Sequence, residues 1–201
     1  MARHARYDRK TALEKAIVLF WEKGYQGSSM KQIEQALDMR PGSIYATFGN
    51  KDGLFSEALA TYAEQGGREM AAHMSGYESV LDGIQDYLRM VAADCGSGDT
   101  TPARACMIVK SLLESSHTQP AIKSQSLAIM AAIESSFTAL LEQAKTRGEL
   151  AESTDCPRLA RLFQAQLVGL RAVAERELGQ EALAQLADDM AGVIEHYRVR
   201  H

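Results

Sequence analysis

The chain has 201 residues, of which 46% are apolar and four are proline, so we expect a globular protein of one or two packed domains. No run approaches the roughly 18 consecutive apolar residues of a membrane span, and no apolar segment follows the basic N-terminus, so we expect a cytoplasmic protein without membrane contact. The net charge of −4, taken alone, argues against nucleic acid as a partner.

Charge is unevenly distributed along the chain. Residues 1–51 hold nine Lys and Arg against five Asp and Glu, a net of +4, whereas the remaining residues have a net of −8. This asymmetry is typical of a small head that binds a polyanion, attached to an acidic body. Helical proteins also acquire such splits by chance, so charge alone leaves both interpretations open.

Apolar residues recur at spacings of three and four through nearly the whole chain, and no segment alternates with period two. We therefore predict an all-α fold of about nine helices. The first four are predicted from Asp8 to Gly24, from a cap at Ser28 or Ser29 to about Asp38, from Pro41 to Phe48, and from Lys51 onward with Asn50 as cap. Gly66 and Gly67 would bend or loosen the fourth helix. The other five are predicted at residues 77–95, 103–116, 119–147, 156–178 and 180–198.

Residues 28–55, "SSMKQIEQALDMRPGSIYATFGNKDGLF", contain two short helices joined by a tight turn, which is the plan of a helix-turn-helix DNA reader. The second helix must enter a major groove about 12 Å wide, so its leading residues must be small or able to bind base edges. Arg40, Pro41, Gly42, Ser43 and Thr47 meet this requirement. Tyr45, Lys51 and a backbone N–H near Ser28 or Ser29 would bind phosphates.

The string "GSIYATFGNKDGLF" and the helices before it resemble the DNA-binding head of the TetR family of bacterial transcription regulators. The resemblance implies that Ser29, Lys31, Arg40 and Lys51 lie on positions that touch DNA, together with Pro41, Gly42, Ser43, Tyr45 and Thr47. The chain departs from the family at Asp38, where a turn glycine is usual, and at Glu34, where alanine is frequent. Asp tolerates a left-handed backbone better than most residues, so we expect the turn to form.

By the same resemblance, residues 1–52 form the helix-turn-helix domain, and residues 53–201 bind an effector and dimerise. Two apolar stripes near the C-terminus fit a four-helix interface across a two-fold axis. Alternatively, both stripes could be buried within the core of a single chain. The stripes comprise Leu159, Leu162, Phe163, Gln166, Leu167, Leu170 and Val173, and Leu183, Leu186, Met190, Val193, Ile194 and Tyr197.

Tyr62, Tyr87 and Met107 are candidates to line a cavity for a hydrophobic effector, although such residues are more often simply core. The three cysteines are odd in number and irregularly spaced, so we expect free thiols. Cys106 is either a buried thiol or a sensor of electrophiles, with Lys110 one helical turn on to favour its thiolate. The histidines show no metal-ligand spacing, and we expect neither a metal nor a cofactor.

These observations predict a DNA-binding transcriptional regulator, more often a repressor than an activator by family habit. A homodimer would bind a palindromic double-stranded operator and be released by a small hydrophobic or thiol-reactive effector. A helical small-molecule binding protein without DNA binding is the alternative. A thiol enzyme is disfavoured, because Cys106 and His117 would lie about 16 Å apart along one helix.

Overall fold

The computed structural model describes residues 2–96, 105–114, 119–176 and 178–199, and the side chains from residue 9 onward. The predicted all-α fold is confirmed, because these segments contain nine α-helices and no β-strand beyond one isolated bridge between Leu150 and Arg198. The helices are α1 (Ala2–Lys23), α2 (Met30–Leu37), α3 (Pro41–Phe48), α4 (Lys51–Met74), α5 (Val80–Gly96), α6 (Met107–Glu114), α7 (Pro120–Thr146), α8 (Cys156–Ala174) and α9 (Gln180–Gly192).

The chain divides into two compact units. The first unit comprises Met1–Gly66 and Met107–Ile129, and the second comprises Gly67–Cys106 and Met130–His201. These units are defined by packing, whereas the boundary predicted at residue 52 separates DNA binding from effector binding, and that boundary stays a prediction.

The core of the first unit is made by one apolar face from each of its first four helices. Phe20 of α1 meets Phe55 of α4 edge to face, with ring centroids 4.8 Å apart. Ile33 of α2 and Ile44 of α3 are completely buried. Two short helices cannot be stable alone, so burial of these faces is what holds α2 and α3 in place.

Local side chains define the ends of these short helices. Ser29 caps α2 in a capping box, in which its hydroxyl accepts from the Gln32 N–H and the Gln32 side chain accepts from the Ser29 N–H. Asn50 caps α4, as predicted, by accepting the Gly53 N–H at 2.8 Å. Asp38 ends α2 in the left-handed conformation, with φ 53° and ψ 44°, so the expected turn forms without a glycine.

The second unit packs α5 against α8 and α9. Its core includes Phe137 and Phe163, whose ring centroids lie 5.3 Å apart. Glu149 caps α5 by accepting the backbone N–H groups of Val80 and Leu81. The second unit therefore has one continuous apolar core, and the two hydrogen bonds to Glu149 fix the beginning of α5.

Several helix boundaries differ from the predictions. Helix α1 begins at Ala2 rather than Asp8, α5 begins at Val80 rather than residue 77, and α8 ends at Ala174 rather than residue 178. Helix α4 continues through the glycines at positions 66 and 67 to Met74, and the bend expected there stays a prediction. Helix α9 ends at Gly192, and Val193–His196 follow as a 3-10 helix. Helix α6 begins at Met107 rather than at residue 103, so Cys106 lies just before the helix, and the predicted end of this helix at residue 116 lies outside the described residues.

Candidate nucleic-acid interface

Helix α3 has one buried and one exposed face. Pro41 occupies its first turn, where the missing N–H costs nothing and the fixed φ favours the helix. Ile44 and Phe48 are 0% and 5% exposed and attach α3 to the core. The opposite face consists of exposed small or polar residues, namely Gly42, Ser43, Tyr45 and Ala46. A helix with this division can be inserted into a groove without losing its own packing.

The exposed face of α3 offers several hydrogen-bonding groups. The Tyr45 side chain is 50% exposed. The Thr47 hydroxyl donates its proton to the Ser43 carbonyl at 2.8 Å, which leaves its oxygen as an acceptor. Arg40 is exposed and makes no side-chain capping hydrogen bond. Lys31, in the first turn of α2, is exposed as well.

Gly42 lies on this face with open space around it. A Cβ built at this position would have no neighbouring atom within 4 Å. Packing within the described residues therefore does not require glycine here, although glycine costs about 0.5–1 kcal/mol relative to alanine inside a helix. Close approach of the α3 backbone to DNA at Gly42 stays a prediction.

The N–H groups at positions 28 and 29 are used within the protein. Ser28 is completely buried, and its N–H donates to the Tyr25 carbonyl at 3.3 Å. The phosphate contact predicted at Ser28 is therefore wrong. The Ser29 N–H donates to Gln32 Oε1 at 2.8 Å, but the Ser29 side chain is exposed, and its contact with DNA stays a prediction.

Lys51 lies over an aromatic ring that the sequence reasoning missed. Its Nζ is 4.1 Å from the ring centroid of Tyr25, in the turn after α1. Burial lowers the pKa of the Lys51 ammonium, and the nearby Asp52 and Glu114 carboxylates partly offset this effect. The sequence indicates this site only weakly, through an aromatic residue, Tyr25, directly after the glycine that ends the first predicted helix.

The candidate effector residues fall into both units. Tyr87, which is 6% exposed, and the half-buried Cys106 lie in the second unit. Burial raises the pKa of the Tyr87 hydroxyl, Arg171 offsets part of this, and Glu69, Asp94 and Cys106 raise it further.

Tyr62 and Met107 lie in the first unit. The Tyr62 ring meets Trp21 edge to face at 5.1 Å, and Met107 is only 1% exposed, so both contribute to packing. The Lys110 Nζ donates to the Trp21 carbonyl at 3.1 Å, and its predicted effect on the Cys106 thiol stays a prediction. Cys106 was predicted to lie within a helix, but α6 begins only at Met107.

Cys106 differs from the other two cysteines in its accessibility. Cys95 and Cys156 are buried, and burial together with the neighbouring Glu142 raises the pKa of the Cys156 thiol. A cavity of about 310 Å³ in the second unit does not include any of the four candidate effector residues. Its lining residues are Met74, Ser75, Tyr77, Val80, Leu140, Gln143 and Arg147.

The two C-terminal stripes each divide between the core and the surface. On α8, Leu159, Phe163 and Leu170 are buried, whereas Leu162 is 37% exposed. Half-buried or exposed residues recur at spacings of three and four on the outer side of both elements. They are Leu162, Gln166, Gly169 and Val173, and Leu186, Met190, Val193 and Tyr197, which we call the α8–α9 face.

Comparison with known proteins agrees with the geometry of the head and extends to the rest of the chain. The model of the bacterial regulatory proteins of the tetR family matches residues 12–58. The model of the tetracyclin repressor-like C-terminal domain matches residues 84–195, more than half of the chain. The chain belongs to the TetR family. As a TetR-family member it is a DNA-binding transcriptional regulator with a helical C-terminal domain.

Individual TetR-family proteins match over nearly the full length. The HTH-type transcriptional repressor ComR of Escherichia coli strain K12 is 29% identical over 182 residues, which cover 90% of this chain and 86% of ComR. A cysteine mutant of the TetR-family regulator CifR, solved with 26bp double-strand operator DNA, has a TM-score of 0.84 and 32% identity, over 92% of this chain and 95% of CifR.

A TetR regulator from Chloroflexus aurantiacus has a TM-score of 0.86 at 24% identity, over 98% of this chain and all of the regulator, and shares the fold. Within the described residues, no helix is long and apolar enough to cross a membrane.

Proposed function

We propose that this TetR-family regulator is a repressor, which binds a pseudo-palindromic operator as a homodimer and leaves it when an effector acts on the C-terminal helices. The exposed face of α3 is the observation that carries the proposal. Ile44 and Phe48 fix the helix from behind, so Gly42, Ser43 and Tyr45 can meet DNA as a preorganised surface.

The charges around α3 support separate roles for its neighbours. Lys31 and Lys51 are positioned near the beginnings of α2 and α4, and we assign them to phosphates together with Tyr45 and Ser29. Arg40, Pro41, Gly42, Ser43 and Thr47 are assigned to the base edges, with Arg40 suited to bidentate binding of guanine. Phosphate contacts fix the register, and base contacts specify the sequence.

The relatives support repression and give no support to a binding protein without DNA binding. ComR is named as a repressor, and the CifR mutant was solved on operator DNA. Both are regulators, so we propose that this chain acts in the cytoplasm and has no enzymatic activity. The exposed α8–α9 face gives the dimer its interface.

The experiment is a gel-shift titration against fragments of the genome, followed by footprinting of the bound fragment. We expect a protected site with two-fold symmetry. Tyr45→Phe and Lys51→Ala should each weaken binding almost equally on all sequences, because both residues contact phosphate. Lys51→Ala should also reduce the slope of log K against log salt by about 0.9. Altered operator preference with an unchanged slope would contradict the phosphate assignment.

We further propose that a thiol-reactive effector acts at Cys106. This half-buried thiol directly precedes α6 in the chain, whereas Cys95 and Cys156 are buried. The Cys106 thiol would give its proton to water and its sulfur would bond to one alkene carbon of an electrophile such as N-ethylmaleimide. The C=C π bond would break, and the other alkene carbon would take a proton from water. The added group would have to fit beside packed residues, and overpacking typically costs about 1–3 kcal/mol per site.

Operator affinity before and after N-ethylmaleimide, for the parent and for Cys106→Ser, tests this assignment. We expect the parent to lose affinity and the serine variant to retain it, with mass spectrometry to count the modified thiols. Equal loss in both proteins would contradict a role for Cys106. A reversible hydrophobic effector would then be the better proposal.

A further inference from the structure

Helix α6 binds the end of α1 through two side chains of opposite charge, all within the first unit. The Lys110 Nζ donates to the Trp21 carbonyl at 3.1 Å, in the last turn of α1. The Glu114 carboxylate accepts the Tyr25 N–H at 3.0 Å, just after the helix ends. A cation is favoured at the negative end of a helix dipole, and the carboxylate binds an N–H beyond that end.

Gly24 allows Glu114 to lie directly against the backbone of this turn. Its φ of +70° is in the left-handed region, which suits glycine. A Cβ built on Gly24 would come within 2.0 Å of Glu114 Oε1. The Glu114 carboxylate therefore occupies the space that a side chain at position 24 would take.

Tyr25 also contacts residues in the first turns of α4. Its hydroxyl donates to Asp52, and its ring meets Phe55 edge to face at 5.1 Å. The Lys51 Nζ lies 4.1 Å from the centroid of the same ring, within the range of a cation–π interaction. Burial and then the Asp52 bond raise the pKa of Tyr25 to about 12, opposed by a Gln119 hydrogen bond, so the hydroxyl keeps its proton and donates.

We propose that Tyr25 is a positioning residue that links α6 to Lys51, so that the phosphate contact of Lys51 depends on the placement of Glu114. The inference rests on the proposed function, because it takes Lys51 to be a DNA contact. Displacement of α6 would withdraw Glu114 from the Tyr25 N–H, shift the ring and misplace the ammonium.

A double-mutant cycle on operator affinity and salt dependence tests the link. Lys51→Ala and Tyr25→Leu should each lower affinity by about tenfold, as expected for one charge-assisted contact, and each should reduce the salt slope by about 0.9. The double variant should bind no more weakly than Lys51→Ala alone, because the leucine acts only through the lysine. Additive losses, or an unchanged slope in Tyr25→Leu, would overturn the proposal while Lys51 stays a DNA contact.

Two further outcomes separate this inference from the proposed function. If Lys51→Ala leaves affinity and slope unchanged, the inference fails although the protein is still an operator-binding regulator. If the parent protein binds no symmetric site, the proposed function itself fails. Tyr25→Phe is the second variant should Tyr25→Leu not fold, because it keeps the ring over Lys51 and removes only the bond to Asp52. It should show a smaller loss with the same non-additivity toward Lys51→Ala, and an additive loss would again overturn the link.

Glu114 is tested by a conservative pair of substitutions. Glu114→Ala should reproduce the affinity loss and the slope change of Tyr25→Leu, whereas Glu114→Gln keeps an acceptor for the Tyr25 N–H and should remain close to the parent. Glu22→Ala, which removes an exposed acid from α1, is the matched control for the loss of one negative charge. The role of α6 would be overturned if Glu114→Ala bound the operator as tightly as the parent. It would also be overturned if Glu114→Ala and Glu22→Ala changed operator affinity equally.

Discussion

The turn between α2 and α3 depends on one residue in a conformation that L-amino acids rarely adopt. Asp38 has a φ of 53° and is the one non-glycine residue with positive φ among the described residues. A left-handed conformation costs roughly 1–2 kcal/mol for most residues, and Asp reduces this cost by local hydrogen bonding. Its N–H donates to the Glu34 carbonyl and completes the end of α2.

We predict opposite effects for two substitutions at Asp38. Asp38→Gly should stabilise the protein by about 0.5–1 kcal/mol, because relief of strain outweighs the entropy gained by the unfolded chain. Asp38→Ala should destabilise it by about 1 kcal/mol, since alanine loses the local hydrogen bonding that Asp offers in this conformation. Urea unfolding at one fixed protein concentration measures both. Equal effects of glycine and alanine would show that backbone strain does not matter at this turn.

Gly42 should separate stability from DNA binding. Gly42→Ala puts a methyl group into open space on a helix, so we expect the free energy of unfolding to rise by about 0.5–1 kcal/mol. Operator affinity should fall, because the methyl group keeps the α3 backbone away from the bases. Thermal unfolding and a gel shift on the same preparation make the comparison. Raised stability with unchanged affinity would mean that DNA does not approach at Gly42.

At the scale of helices, α8 and α9 each bury one side and leave an apolar side partly exposed. Gln166 joins the two elements on that side by donating to the Met190 carbonyl at 3.0 Å. A Cβ built at Gly169 would have no neighbour within 4 Å, so the center of the face is shallow enough for another helix to approach. Such a face fits the same face of a second copy across a two-fold axis.

Leu162→Glu should convert the dimer into monomers at micromolar concentration, because a charge would be buried without a partner within the interface. Leu127→Glu is the matched control, since Leu127 is 49% exposed on α7, which contributes no residue to the α8–α9 face, and Leu162 is 37% exposed. Sedimentation velocity reports the oligomeric state, and circular dichroism reports the fold. If Leu162→Glu remains a dimer, or if both variants become monomers, the α8–α9 face is not the interface.

At the scale of the whole molecule, two-fold symmetry determines what the operator looks like. A symmetric dimer presents its two α3 helices to half-sites about one turn of DNA, roughly 34 Å, or a multiple of that apart. Arg40→Ala should relax the preference at one symmetric pair of positions, at a cost of about 1–3 kcal/mol per lost bidentate contact. Affinity selection from a randomised operator measures the preference at every position. Loss of preference in only one half-site would contradict the symmetric arrangement.

Several features of the head followed from the sequence because they depend on neighbours along the chain. Helical periodicity, the cap at Asn50 and the left-handed turn at Asp38 involve residues at most a few positions apart. The resemblance of "GSIYATFGNKDGLF" to the TetR family added the function and a set of candidate DNA contacts. The exposed face of α3 was predictable for the same reason, because Ile44 and Phe48 recur at the helical spacing.

Tertiary structure decided what depends on residues distant in sequence. The contact of Glu114 with Tyr25 joins positions 89 apart, and no local pattern indicates it. The hydrogen bond from Lys110 to the Trp21 carbonyl likewise joins residues that no local pattern relates. Each C-terminal stripe reads as one apolar run, yet packing against α5 takes one side and leaves the α8–α9 face outside. Sequence determines which residues must avoid water, but the neighbours present in three dimensions determine which of them are left for a partner.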